Sequence, residues 1–191
     1  MAETPFVGYA GDCVVRGLIE VPDGLRLTDL VNDAPRLSVS RARLFALEDG
    51  HAVEAGDVDL GMDELFAVEA PPAPTNSGFR IRTRAQRVQF ELGPYEILGH
   101  VHAPTTGDPI ATMARRKPMV PLTQATIAMT YAGRQRLRDV DVLIVNRDLA
   151  KMVEAVQYES TKLDEMRVTT VDARAKDWTS AIYGGPGDSL L

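Results

Sequence analysis

The sequence predicts an α+β, strand-rich fold made by tandem duplication of a small domain with a short helix between its strands. Three observations predict it: glycine and proline recur at matched intervals in the two halves, the apolar runs are strand-sized, and a proline-rich segment separates the halves. Gly17 to Pro22 lines up with Gly99 to Pro104, each an alternating segment that starts at a glycine and stops at a proline. Past one extra residue in the second half, Gly24 meets Gly107, Pro35 meets Pro118 and Gly50 meets Gly133. Glycine permits, and proline enforces, particular backbone angles, so matched spacing of the two implies matched turns.

The elements follow in order. Cys13 to Val21 reads as a strand that ends at the turn Pro22-Asp23-Gly24. Leu25 to Asn32 predicts a helix of one or two turns, with Thr28 as its cap and Pro35 beyond its end. Leu44 to Leu47 and Leu65 to Val68 are apolar runs of strand length with a loop between them. In the second half Tyr95 to Ala103 is the first strand, Pro104 to Gly107 the turn and Asp108 to Arg116 the helix counterpart. Ile127 to Thr130 then matches Leu44 to Leu47, and Leu143 to Asn146 matches Leu65 to Val68. After a turn at Asn146 to Asp148 the chain returns as Leu149 to Val156, strand or helix, which so short a segment leaves open. Phe79 to Leu92 alternates and adds a strand or hairpin before the second copy, as Phe6 to Tyr9 does before the first. The expected organisation is an acidic first domain (1–70), a semi-stiff proline-rich linker (71–78), a basic second domain (79–158) and a partly mobile C-terminal extension (159–191).

The run Gly17-x-Ile19-x-x-Pro22-x-Gly24-x-Arg26-Leu27-Thr28-Asp29-x-Val31-Asn32, with Leu44 to Leu47 after it and Val145-Asn146-Arg147 in the second half, resembles a family of small bacterial domains of uncharacterised function. The match spans most of the first copy and only the glycine, proline and strand framework of the second. The second copy lacks the Arg-Leu-Thr-Asp stretch, and the first has Val68-Glu69 where the family has Val-Asn. The resemblance implies a bacterial domain unit and adds nothing about chemistry.

Composition narrows the function classes. At 45% hydrophobic and 25% charged residues the chain has the makeup of a globular protein. No apolar run approaches the roughly 20 residues of a membrane-spanning helix. An acid near the N-terminus, and no apolar stretch after it, point to a soluble cytoplasmic protein. Cys13 is the single cysteine, which excludes an intrachain disulfide and suits a small buried hydrophobe.

Catalytic and cofactor motifs are missing. His100 and His102 alternate on a strand and share a face, as two metal ligands would, yet no third ligand stands at a recognisable spacing. Gly184 to Gly187 and Gly8 to Gly11 lack the lysine and the strand-helix setting of a phosphate loop, and Asp57, Asp59, Asp63 and Glu64 lack the order of a calcium loop. No nucleophile motif occurs. The expectation is therefore a non-enzyme with no metal and no cofactor.

Charge is the informative signal. Residues 1–78 carry 5 basic and 14 acidic side chains, residues 79–138 carry 10 and 3, and residues 139–191 carry 6 and 10. Arg80, Arg82 and Arg84 alternate, as do Arg134, Arg136 and Arg138, so each trio would form a ladder on one face of a strand; Arg115, Arg116 and Lys117 add a third cluster. Solvated faces that guard strand edges account for such residues as well as binding does. The leading functional expectation is an interaction or assembly module working through electrostatically complementary domains, with a protein partner or self-association. The alternative is an anion-binding module that takes nucleic acid or a nucleotide on the arginines, a planar fork well matched to phosphate.

Overall fold

Segments of alternating apolar and polar residues recur along the chain, and among the described residues they build mostly strands. The computed structural model describes residues 2–71 and 82–156. Its strands are β1 (Ala2–Ala10), β2 (Cys13–Val21), β3 (Arg36–Ala46), β4 (Ala52–Gly61), β5 (Leu65–Glu69), β6 (Thr83–Leu92), β7 (Tyr95–Pro104), β8 (Met119–Tyr131), β9 (Arg134–Asn146) and β10 (Met152–Ala155). The helices are α1 (Leu27–Asp33) and α2 (Pro109–Ala114), with a 3-10 turn at Arg147–Leu149. Most of the linker 71–78 and all of the extension 159–191 lie outside the described residues.

The α+β expectation is corrected: the fold is nearly all β. All ten strands join one sheet in the order β10-β6-β7-β8-β9-β5-β1-β2-β3-β4, and every neighbouring pair is antiparallel. The helices have seven and six residues, enough to cover a strand crossing but not to form a layer. Leu149 to Val156, left open between helix and strand, supplies the end of the 3-10 turn and then β10, which pairs with β6. Thr28 is not the cap of α1; it sits inside the helix, and Arg26 holds the cap position without a side-chain bond. In α2 the cap is Asp108, whose carboxylate accepts from the Ile110 N–H.

The two halves follow the same path. The first half runs β5-β1-β2-β3-β4 across the sheet, the second β10-β6-β7-β8-β9, and the halves meet where β9 pairs with β5. Both halves carry a bulge at the same place. The β2–β3 register slips between Arg16 and Leu18, the β7–β8 register between Leu98 and His100, and the slip puts Arg41 and Gln124 at φ of 51° and 49°. Opposite each bulge stands a glycine, because a Cβ there has no room. At Gly17 it would meet Val39 at 2.5 Å and the Ser40 carbonyl at 2.7 Å, and at Gly99 it would meet Leu122 at 3.0 Å. One correspondence differs from the sequence alignment. The β3–β4 and β8–β9 registers match Val58 to Gly61 with Leu143 to Asn146, and Leu65 to Glu69 matches the strand β10. The aligned runs were both apolar, and apolarity does not say which side of its half a strand occupies.

The core of the first half is completed by the second. Phe6, Val15, Ile19 and Val31 pack with Val68 and with two side chains from across the joint, Met119 of β8 and Ile144 of β9. Both are buried, at 3% and 0% exposed, and burial of such side chains contributes about 1.5–3 kcal/mol each. The halves therefore share one core rather than sitting apart on a spacer.

Candidate interaction surface

The joint between the halves is where polar chemistry concentrates. Backbone pairing of β5 with β9 runs Ala67–Val145, Val68–Ile144 and Glu69–Leu143, and the Ala70 N–H donates to the Val142 carbonyl just beyond. The Glu69 carboxylate accepts from Arg138 twice, at 2.6 and 2.8 Å, and from the Tyr9 hydroxyl at 2.6 Å. Two oxygens meeting a planar guanidinium fork make the strong, geometry-specific form of ion pair. The Asn32 side chain at the end of α1 bonds the Met119 backbone both ways, donating to its carbonyl and accepting from its N–H. Asn146 donates to the Met62 and Leu65 carbonyls, and Lys117 pairs with Asp33. Tyr95 reaches across to donate to the Ala10 carbonyl while its ring lies edge-on to Tyr9 at 5.5 Å.

The predicted arginines do not converge on one site. Arg138 is spent on Glu69, and Arg134 and Arg136 stand beside the β8–β9 turn. Arg82, just ahead of β6, and Arg84 at its start are exposed, while Arg80 lies outside the described residues. Arg115 and Arg116 are exposed after α2, where Arg116 donates to the His102 carbonyl, and Lys117 belongs to the joint. The arginines thus split between the β8–β9 hairpin, where Arg138 turns to the joint, and the β6–α2 end of the sheet. No group of three histidine, cysteine or acidic side chains suited to a metal ion occurs among the described residues. His100 and His102 do share a face of β7, but His102 is committed to Thr123 at 2.7 Å and Thr83 at 3.2 Å. Burial lowers the His102 pKa, and His100 and Arg116 push it the same way. Burial and the neighbouring Asp12 raise the Cys13 thiol to about 12, which leaves it protonated and unreactive.

At either end of the sheet lies a strand with one unpaired edge among the described residues, β4 and β10. The β4 edge carries exposed Glu54, Asp57 and Asp59, with Asp63 and Glu64 in the following turn. Three arginines of β3 stand behind it. Arg43 pairs with Glu54 at 3.0 Å, and Arg36 donates to the Asp59 carbonyl, which leaves the Asp59 carboxylate to Ser38. At the other end are Arg82, Arg84, Arg115 and Arg116, with Lys151 paired to Glu91. Three large hydrophobic side chains are exposed among the described residues, and two of them mark these edges: Val53 on β4 at 47% and Met152 on β10 at 40%.

Sequence reasoning missed Glu69, Asn32, Asn146, Tyr9 and Tyr95. The family-like segments included Asn32, Glu69 and Asn146 without giving them a role, and all five make contacts between residues 60 or more positions apart. No family model, curated protein or solved structure matches the chain. Among the described residues the chain is a two-part, ten-stranded antiparallel sheet whose two end strands each have one unpaired edge. No helix among the described residues is long and apolar enough to cross a membrane.

Proposed function

We propose that this chain is a non-catalytic assembly module, descended from a duplicated five-stranded unit, that associates through the two ends of its sheet. The observation that carries the reading is the contrast between an acidic end strand with an unpaired edge among the described residues, β4 with Glu54, Asp57 and Asp59, and a basic opposite end bearing Arg84, Arg115 and Arg116. An edge strand offers a row of unmet N–H and C=O groups, and charge of one sign on it selects a partner of the other sign. Static light scattering tests this. At low ionic strength the mass should rise above the 20.8 kDa of the chain as concentration increases, and fall back in about 0.5 M salt, where the Debye length is only a few ångströms. Charge reversal at Arg115→Glu with Arg116→Glu should weaken the association. A monomer at every salt concentration, with no other protein bound, would remove the proposal.

A further inference from the structure

The joint inside the molecule has an unused counterpart at its ends. β9, the last long strand of the second half, pairs with β5 of the first; the strand that corresponds to β9 is β4, and the strand that corresponds to β5 is β10. Among the described residues these two are the free edges. The internal contact is heterologous, one kind of edge meeting a different kind, so repeating it does not close on itself after a single step. We infer that the partner is a second copy of this chain, seated head to tail, with β10 of one molecule adding to β4 of the next in the register Glu154–Val58, Val153–Asp59 and Met152–Leu60. This inference rests on the assembly reading above and gives it a partner and a geometry.

The register comes from superposing the pairings. Val68 opposite Gly8 corresponds to Val153 opposite Phe90, and Leu60 opposite Leu37 corresponds to Val145 opposite Val120. Carrying Val68–Ile144 across these matches gives Val153–Asp59, and the neighbouring pairs follow. Met152 then leaves solvent against Leu60, which covers one of the two exposed apolar side chains on the edges.

The chemistry of the two joints differs in a consistent direction. Met119 and Ile144, which plug the core of the first half, correspond to Arg36 and Asp59. Asn32 and Asp33 at the end of α1 correspond to Arg115 and Arg116 after α2. Where the inner joint sets Met119 and Ile144 into the core beside Asp33, the outer one brings two guanidiniums to the end of β4, where Asp59 and Asp63 lie with Arg36 beside them. The inner joint is permanent because its burial is part of folding. The outer one depends on charge and is reversible by salt.

Disulfide trapping tests the register separately from association. Because Ala70 and Val142 form a hydrogen-bonded pair, Glu69–Leu143 is a non-hydrogen-bonded pair, and so is its counterpart Glu154–Val58. Cα atoms in such a pair are about 4.5 Å apart, within the disulfide range. Two chains are prepared on a Cys13→Ala background, one with Val58→Cys and one with Glu154→Cys, each checked by thermal melting to match its parent. Mixed at low salt under mild oxidation, they should give a crosslinked dimer that neither gives alone, and 0.5 M salt should suppress it at least tenfold. Association by scattering without the mixed dimer overturns the head-to-tail register while leaving the assembly reading intact. A dimer from Val58→Cys alone overturns it in favour of two-fold β4–β4 pairing, and no association by scattering removes both.

Discussion

Removing the Glu69 carboxylate is the most informative single change to the inner joint. Glu69 is 14% exposed and Arg138 23%, and the carboxylate is held by three bonds of 2.6 to 2.8 Å from Arg138 and Tyr9. Glu69→Ala removes three of the bonds made by the guanidinium and the phenol, in a site largely closed to water. Breaking a fully buried pair costs about 3–5 kcal/mol, and partial exposure of both groups lowers this to about 2–3 kcal/mol. Glu54→Ala is the control. The Arg43–Glu54 pair is geometrically sound at 3.0 Å, but its side chains are 44% and 75% exposed, so its loss should cost less than about 0.5 kcal/mol. With a urea m-value of about 2 kcal/mol/M, Glu69→Ala should move the unfolding midpoint down by about 1–1.5 M and Glu54→Ala by less than about 0.3 M. A double-mutant cycle with Arg138→Ala should return most of the loss as coupling. Equal shifts for the two variants would refute the reasoning, since both burial and the number of bonds set Glu69 apart from Glu54.

Three further outcomes follow from the structure. Gly17→Ala should destabilise more than Gly99→Ala, by about 2–3 against about 1 kcal/mol, because the first meets backbone and Val39 at 2.5–2.7 Å and the second only side chains at 3.0–3.3 Å; thermal melting of the two variants decides it. With its thiol near 12, Cys13 should react with iodoacetamide at pH 8 about a thousandfold more slowly than an unfolded cysteine, and urea should restore the rate; fast labelling of the folded chain contradicts the half-buried, Asp12-flanked setting. His102 has a folded pKa below its unfolded value of 6.5, so its contribution to stability is complete above that pH and is lost as pH falls through the folded value. The melting temperature should therefore drop between pH 7 and pH 5, and drop less in His102→Gln; an equal drop in both removes His102 as the cause.

The sequence was most readable where backbone geometry is local. Gly17, Gly99 and the turn residues Gly50 and Gly133 (φ 75° and 71°) announced the matched strands and hairpins, because a steric requirement at one residue leaves its mark at that residue. Edges were less readable. Leu65 to Val68 and Leu143 to Asn146 look alike as apolar runs, yet the first is the strand that joins the halves and the second its pairing partner, a distinction fixed by contacts 70 or more residues apart. Arg138 looked like one rung of a solvent-facing ladder until the fold brought Glu69 beside it, whereas Arg84, Arg115 and Arg116 stayed on the surface as their sequence suggests. The helices were overestimated as structural partners because capping and periodicity mark where a helix forms, not how much sheet surrounds it.

Amide hydrogen exchange on the intact chain, measured across protein concentration at low salt, reads the free edges directly. Head-to-tail pairing predicts that amides of β4 between Val58 and Leu60 and of β10 between Met152 and Glu154 gain protection together as concentration rises, and lose it together in high salt. Unchanged exchange at both edges, while the scattering mass increases, would contradict it.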